Sequence, residues 1–195
     1  MLITDVKYES CDAAKFLLSI IAGVNPDYQD IDGLTALHYA VEFANLQLTD
    51  ILVSKGAPVD CQYNWKQTPL HCAFQTNNTS VLQEILRVYP SLKTEDICGM
   101  DPIHTVALLG NLQCLKLLNP DKVYFFLPTS NARQDLPNHL AAFGGHIDVK
   151  WIVERGVRID GRNGKGSNAL DIAIEKGNIE LIKSLQNIGS NMSAN

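Results

Sequence analysis

The segment Thr35-Ala-Leu-His-Tyr-Ala40 (TALHYA) returns 33 residues later as TPLHCA at 68–73, and 33 residues after that as DPIHTV at 101–106. Further copies follow at 136–141 (LPNHLA) and 168–173 (NALDIA), displaced by 35 and 32 residues. Self-similarity at a near-constant period of about 20 to 50 residues is the signature of an array of stacked supersecondary units. A second ruler agrees: Gly23 to Gly56 and Gly156 to Gly189 are each separated by 33, while Tyr89-Pro90 stands where Gly56-Ala57 is expected.

Each copy has a physical logic. Thr68 is placed to accept hydrogen bonds from orphan amides at a helix start, and Pro69 occupies the first helical position, where its missing N–H costs nothing. Thr35 serves the same purpose without the proline. A second helix follows, carrying an apolar pair. Ile51, Leu52, Ile85, Leu86, Leu117, Leu118, Ile152, Val153, Ile182 and Leu185 recur at one phase and are expected to form a continuous core. No unit buries its apolar face alone, so neighbours must stack.

TPLH, the Gly56-Ala57 pair and the Gly145-His146 pair resemble the ankyrin repeat, and the resemblance covers nearly the whole chain. It implies an all-α solenoid of helix-turn-helix units joined by hairpin-like loops. The expected organisation is one domain over 1–195: an N-terminal cap at 1–29 with a helix over Asp12 to Ala22, units at 30–62, 63–95, 96–130 and 131–162, and a C-terminal cap at 163–195. Four departures mark the middle and later units as irregular. Asp101 and Leu136 replace the expected Thr, Gln134 replaces a turn glycine, and Asn138 replaces Leu. The fourth unit also carries two extra residues between Asn119 and Gln134, where the aromatic run Tyr124-Phe125-Phe126 is expected to pack back on the core.

Composition narrows the functions. The chain of 195 residues is 46% hydrophobic and 19% charged, which suits a globular protein. A formal charge of −5 offers no general attraction to phosphate backbones or anionic lipid, so neither nucleic acid nor membrane is an expected partner. Five scattered cysteines without a CxxC pair suit reduced thiols in the cytoplasm. The apolar stretch at 16–24 (FLLSIIAGV) is too short to span a bilayer and reads as a helix face.

Several chemistries are set aside on spacing. His38, His71, His104 and His139 share one repeat position, where the resemblance implies hydrogen bonding between adjacent loops. Zinc needs ligands about 2 Å away, whereas neighbouring helices pack about 8 to 10 Å apart. GRNGKGSN at 161–168 does not satisfy the phosphate-loop pattern. Cys72 and His71 are adjacent on a helix and point about 100° apart, so they do not form a nucleophile–base pair. The chain is not expected to be an enzyme or to carry a cofactor.

In ankyrin-repeat proteins the loop tips and the exposed side of the first helices line a groove. In register, those positions hold Gln29, Ile31, Asp32, Leu34, Glu42 and Phe43, then Gln62, Asn64, Trp65, Gln67, Gln75 and Thr76, then Glu95, Ile97, Cys98, Met100, Leu108 and Leu109. Ile31, Leu34, Phe43, Trp65, Gln67, Ile97, Met100, Leu108 and Leu109 are the expected partner-binding residues, an apolar stripe with Trp65 as its anchor. Arg162, Lys165 and Lys176, with Arg155 and Arg158 nearby, form a secondary basic site. The expected function is a monomeric adaptor, scaffold or inhibitor that binds a protein or peptide in the cytoplasm. A bacterial effector delivered to host cytosol, a recruitment subunit of an enzyme complex, and a nuclear location are the alternatives.

Overall fold

A computed structural model describes residues 25–118, 128–146 and 149–193. The expected Asp12–Ala22 helix and the aromatic run at 124–126 lie outside these residues. Every regular element among the described residues is a helix, and the chain is an all-α repeat solenoid. It divides into two compact units, Met1–Ile97 and Cys98–Asn195.

In the first unit, α1 (Ala36–Glu42) pairs with α2 (Leu46–Ser54), and α3 (Pro69–Thr76) pairs with α4 (Thr79–Leu86). First helices stack on first helices, α1 on α3, and second on second, α2 on α4. The second unit holds α5 (Pro102–Leu109), α6 (Leu112–Leu117), α7 (Pro137–Gly144), α8 (Val149–Val153), α9 (Ala169–Glu175) and α10 (Ile179–Ser193). There α5 packs on α7, and α7 on α9.

The expected core is half right. Leu52, Ile85, Leu118, Ile152, Val153 and Leu185 are buried, whereas Ile51, Leu86, Leu117 and Ile182 are half-buried. Consecutive helical residues point about 100° apart, so in the pairs at 51–52, 85–86 and 117–118 one member takes the inner line and the other slips toward the edge, whereas Ile152 and Val153 are both buried. Leu48 and Val81, one helical turn N-terminal of Leu52 and Ile85, complete the inner line in the first unit.

Helix starts explain the TPLH segment. The Thr35 N–H donates to His38 Nδ1 at 3.1 Å, and the Thr68 N–H does the same to His71 Nδ1 at 3.1 Å. An N–H can only donate, so Nδ1 is unprotonated and the proton sits on Nε2. His38 Nε2 then donates to the Gln67 carbonyl in the next hairpin at 3.3 Å. In the second unit the Leu136 N–H donates to His139 Nδ1 at 2.9 Å, and His139 Nε2 donates to the Gly161 carbonyl at 2.8 Å. The bridge survives at Leu136 because it uses backbone, not the Thr hydroxyl. Asp101 alters the arrangement: its carboxylate accepts both the His104 N–H, at 2.9 Å, and Nδ1–H, at 2.7 Å. In the last copy Asp171 takes the histidine's place, accepting from the Asn168 N–H at 3.0 Å.

Each hairpin turns through one left-handed residue. Gly33, Lys66, Gly99, Gln134 and Gly166 all have positive φ, from 47° at Gln134 to 82° at Gly33. Gln134 therefore does the work of the missing turn glycine, at a steric cost that glycine would not carry. Hairpins are laced laterally at the repeat spacing. Gln29 Nε2 donates to the Gln62 carbonyl at 3.1 Å, and Gln62 Nε2 to the Glu95 carbonyl at 2.9 Å. In the second unit, Asn131 Nδ2 donates to the Cys98 carbonyl.

The irregularity expected in the fourth and fifth repeats is visible as a polar network. Asp135, 1% exposed, accepts from Asn163 Nδ2 and Arg133 Nε, both at 2.7 Å, while its N–H donates to Thr129 Oγ1 at 2.9 Å. Asn138, in the place of a leucine, is fully buried; its Nδ2 donates to the Arg158 carbonyl at 3.2 Å, while its Oδ1 has no hydrogen-bond partner among the described residues.

Burial holds the His38 imidazole down to about 4, against an ordinary value of 6.5, and burial also lowers His139. In both, the folded state resists protonation that the unfolded chain accepts. Their stabilising contribution is complete above pH 6.5 and is lost as pH falls below it; for His38 the loss extends down to about pH 4 and is on the order of 3 kcal/mol. Urea unfolding between pH 7.5 and 4 is expected to show stability falling from about 6.5, well before ordinary carboxylates titrate; a flat profile down to pH 5 contradicts this. Replacing Asn138 by Leu removes an unsatisfied buried oxygen, and the Arg158 carbonyl keeps the Gly161 N–H at 3.2 Å. The variant is expected to gain about 1 to 2 kcal/mol by chemical denaturation.

Candidate functional site

Two hairpins of the first unit, each followed by a first helix, enclose a cavity of about 630 Å³. Asp32, Leu34 and Glu42 contribute one wall; Tyr63, Asn64, Trp65, Cys72, Gln75 and Thr76 contribute the rest. The tips are held by backbone: the Asn64 N–H donates to the Asp32 carbonyl and the Ile97 N–H to the Trp65 carbonyl, each at 2.9 Å. Main chain committed to neighbouring hairpins leaves the tip side chains free to face a ligand.

The aromatic wall is built in layers. Tyr63 meets the buried His38 ring edge-on at a centroid distance of 5.5 Å, and Trp65 lies 6.0 Å from Tyr63 at a tilt of 34°. The Tyr63 hydroxyl donates to Gln67 Oε1 at 2.8 Å, and Gln75 Nε2 donates to the same oxygen at 3.3 Å. Burial pushes the Tyr63 hydroxyl up to about 12, so it stays protonated. Trp65 itself is 64% exposed.

The charge in the cavity is one-sided. Asp32 and Glu42 are exposed, neither carboxylate is in an ion pair with a described residue, and no Lys or Arg is among the lining residues. Burial, and then the Glu42 charge, push the Cys72 thiol up to about 12. With His71 Nδ1 occupied by Thr68, Cys72 has neither the thiolate nor the base that nucleophilic catalysis needs.

Of the nine stripe residues, Leu34 and Trp65 line this cavity. Ile31 is 95% exposed and Ile97 66% exposed. Phe43 is partly covered by stacking on Tyr39, with centroids 6.4 Å apart. Gln67 is half-buried, its carbonyl bonded to His38 and its amide oxygen to Tyr63 and Gln75, so it orders the wall. Met100, Leu108 and Leu109 belong to the second unit. Leu109 is partly exposed, but Met100 and Leu108 are half-buried; the Leu108 carbonyl accepts from His146 Nε2 at 3.0 Å. Solvent exposure expected for Leu34, Met100 and Leu108 is thus only partial. Gln29 and Gln62, expected to face a ligand, are instead rungs of the lateral ladder. Tyr63 and Cys72 were not readable as wall residues, because repeat register places them at folding positions.

The basic site is largely self-satisfied. Arg162 Nη1 donates to the Gly166 carbonyl at 2.5 Å and approaches Asp171 Oδ2 at 3.4 Å. Lys176 Nζ sits 3.9 Å from the Phe143 ring centroid, and Arg133 lies 5.1 Å from it. Arg155 covers Trp151 at 3.7 Å, and Arg158 pairs with Asp160 at 3.0 Å. Lys165 is exposed. Among the described residues no helix is long and apolar enough to cross a membrane, and no cluster of His, Cys, Asp or Glu is placed to hold a metal ion.

The family model for ankyrin repeats, three copies, matches residues 2–96. The chain is an ankyrin-repeat protein. It is similar to human "Transient receptor potential cation channel subfamily A member 1", 26% identical over 163 residues, which are 80% of this chain and 14% of that protein. "NF-kappa-B inhibitor zeta" of Bos taurus is 27% identical over 80% of this chain and 22% of its own length. "Probable 26S proteasome regulatory subunit p28" of Saccharomyces cerevisiae is 27% identical over 88% of this chain and 77% of its length. The chain thus spans less than a quarter of the first two relatives and most of the third. Ankyrin repeats are protein-interaction modules, and the fold is non-enzymatic.

The thiols offer a check on this geometry. Cys98 is exposed, whereas Cys72 and Cys114 are buried and burial raises both thiols. At pH 8 an alkylating reagent is expected to label Cys98 in the native ankyrin-repeat chain and to reach Cys72 and Cys114 only after denaturant is added; mass mapping of native-state adducts on Cys72 would contradict the assigned wall.

Proposed function

We propose that this chain is an adaptor, scaffold or inhibitor that holds a protein or peptide partner on the first unit, against the hairpins at 30–34 and 63–67 and the helices that follow them. The observation that carries the reading is Trp65: a large amphipathic ring, 64% exposed, on a prebuilt cavity of about 630 Å³. Such rings are favoured binding anchors because they bury much area at little conformational cost. Ile31 and Ile97, both well exposed, extend the apolar surface to either side of it in sequence register. Leaving three large apolar side chains in water is offset when a partner covers them. The names of two relatives, an inhibitor and a regulatory subunit, accord with a binding role. A cytoplasmic setting, suited to cysteines scattered without a CxxC pair, is part of the proposal.

Affinity capture from lysate with the wild-type chain beside Trp65→Ala tests the site, once circular dichroism shows equal helicity. Proteins retained by wild type are expected to be lost from the variant, with affinity reduced about 30-fold. Equal retention by the two chains removes the first-unit site.

A further inference from the structure

The cavity beside Trp65 combines an aromatic face with uncompensated negative charge, which restricts what it accepts. Asp32 and Glu42 are its only ionised lining residues, and neither has a cationic partner among the described residues. Tyr63 and Cys72 remain neutral, since burial pushes both up to about 12. The other polar lining groups, Asn64, Gln75 and Thr76, include oxygen acceptors. The surrounding field has the same sign: residues 1–97 contain six Lys/Arg and twelve Asp/Glu, a formal −6, while residues 98–195 contain ten and nine, a formal +1. The chain's net acidity therefore resides in the half that carries the cavity.

We propose that this cavity receives an arginine side chain from a basic-apolar segment of the partner. The inference rests on the binding role proposed above and names the chemistry of the partner. A guanidinium is planar and weakly hydrated, so it lies on an indole face, and its fork of donors satisfies two carboxylates at once. A lysine ammonium is more strongly hydrated and lacks that fork. Apolar residues next to the arginine would cover Ile31 and Ile97, which are 95% and 66% exposed. A segment with basic charge is also drawn by the −6 field, whereas an acidic segment, nucleic acid or anionic lipid is repelled by it.

Selection of a displayed random dodecapeptide library on the full chain tests this. Enriched peptides are expected to contain arginine beside apolar residues, to weaken at least about tenfold when that arginine becomes lysine or alanine, and to weaken similarly on the Asp32→Asn, Glu42→Gln double variant. Both substitutions are on exposed side chains, so circular dichroism is expected to match wild type. Peptides that need Trp65 yet lack arginine, or that ignore the double variant, overturn the inference and leave the binding site standing. Peptides that bind Trp65→Ala as well as wild type overturn both.

Discussion

The molecule depends on a neutral imidazole held between two pieces of backbone. At His38 and His139 one ring nitrogen accepts the N–H at a helix start, and the other donates to a carbonyl in the next hairpin. A single side chain thereby caps its own helix and fixes the distance to its neighbour. The geometry requires one acceptor and one donor on the same ring, which only the uncharged tautomer supplies. Burial maintains that state, since a charged imidazole among apolar helices would be poorly solvated. Where Asp101 or Asp171 enters the pattern, the carboxylate supplies acceptor capacity and the helix start is still satisfied.

Regular lacing has a functional consequence. Hairpin backbone is consumed by left-handed turns and cross-hairpin bonds, and glutamine rungs at Gln29 and Gln62 take up carbonyls at the repeat spacing. Tip side chains are then relieved of any folding duty. In the first unit that freedom is spent on Asp32 and Trp65, around a cavity whose wall residue Tyr63, packed edge-on against His38, belongs to the scaffold. In the fourth and fifth repeats similar positions are absorbed internally: Arg133 and Lys176 flank Phe143, and Asp135 anchors a buried network. Of the basic residues that look like a docking site in sequence register, Arg162 and Lys176 are occupied with intramolecular partners.

Period and helix-start chemistry were readable without coordinates because they are local. Thr-Pro, the histidine three residues on, and the turn residue at every 33rd position act within one or two turns of chain. Burial within apolar pairs was less readable: Leu52 and Ile85 face inward while Ile51 and Leu86 drift to the edge, a difference of one helical step. A third ruler, whose role shows only in the structure, is the set of asparagines Asn45, Asn78 and Asn178, which cap second helices by accepting from the N–H groups of Leu48, Val81 and Leu181. The stripe was legible as a register but not as a surface, since Gln67 and Leu108 turn out to be tied into the scaffold.

By itself the sequence determined the repeat and its spacing, and through its resemblance to the ankyrin family the helical class, a histidine hydrogen bond between adjacent loops and the positions available to a ligand, because the motifs that carry the resemblance are local. Only the tertiary structure decided which of those positions become a site. Whether Asp135 is reached by Asn163, whether the Leu108 carbonyl is taken by His146, and whether Tyr63 packs on His38 depend on residues in different repeats. Such contacts form when units stack, and stacking brings together side chains that no local rule relates.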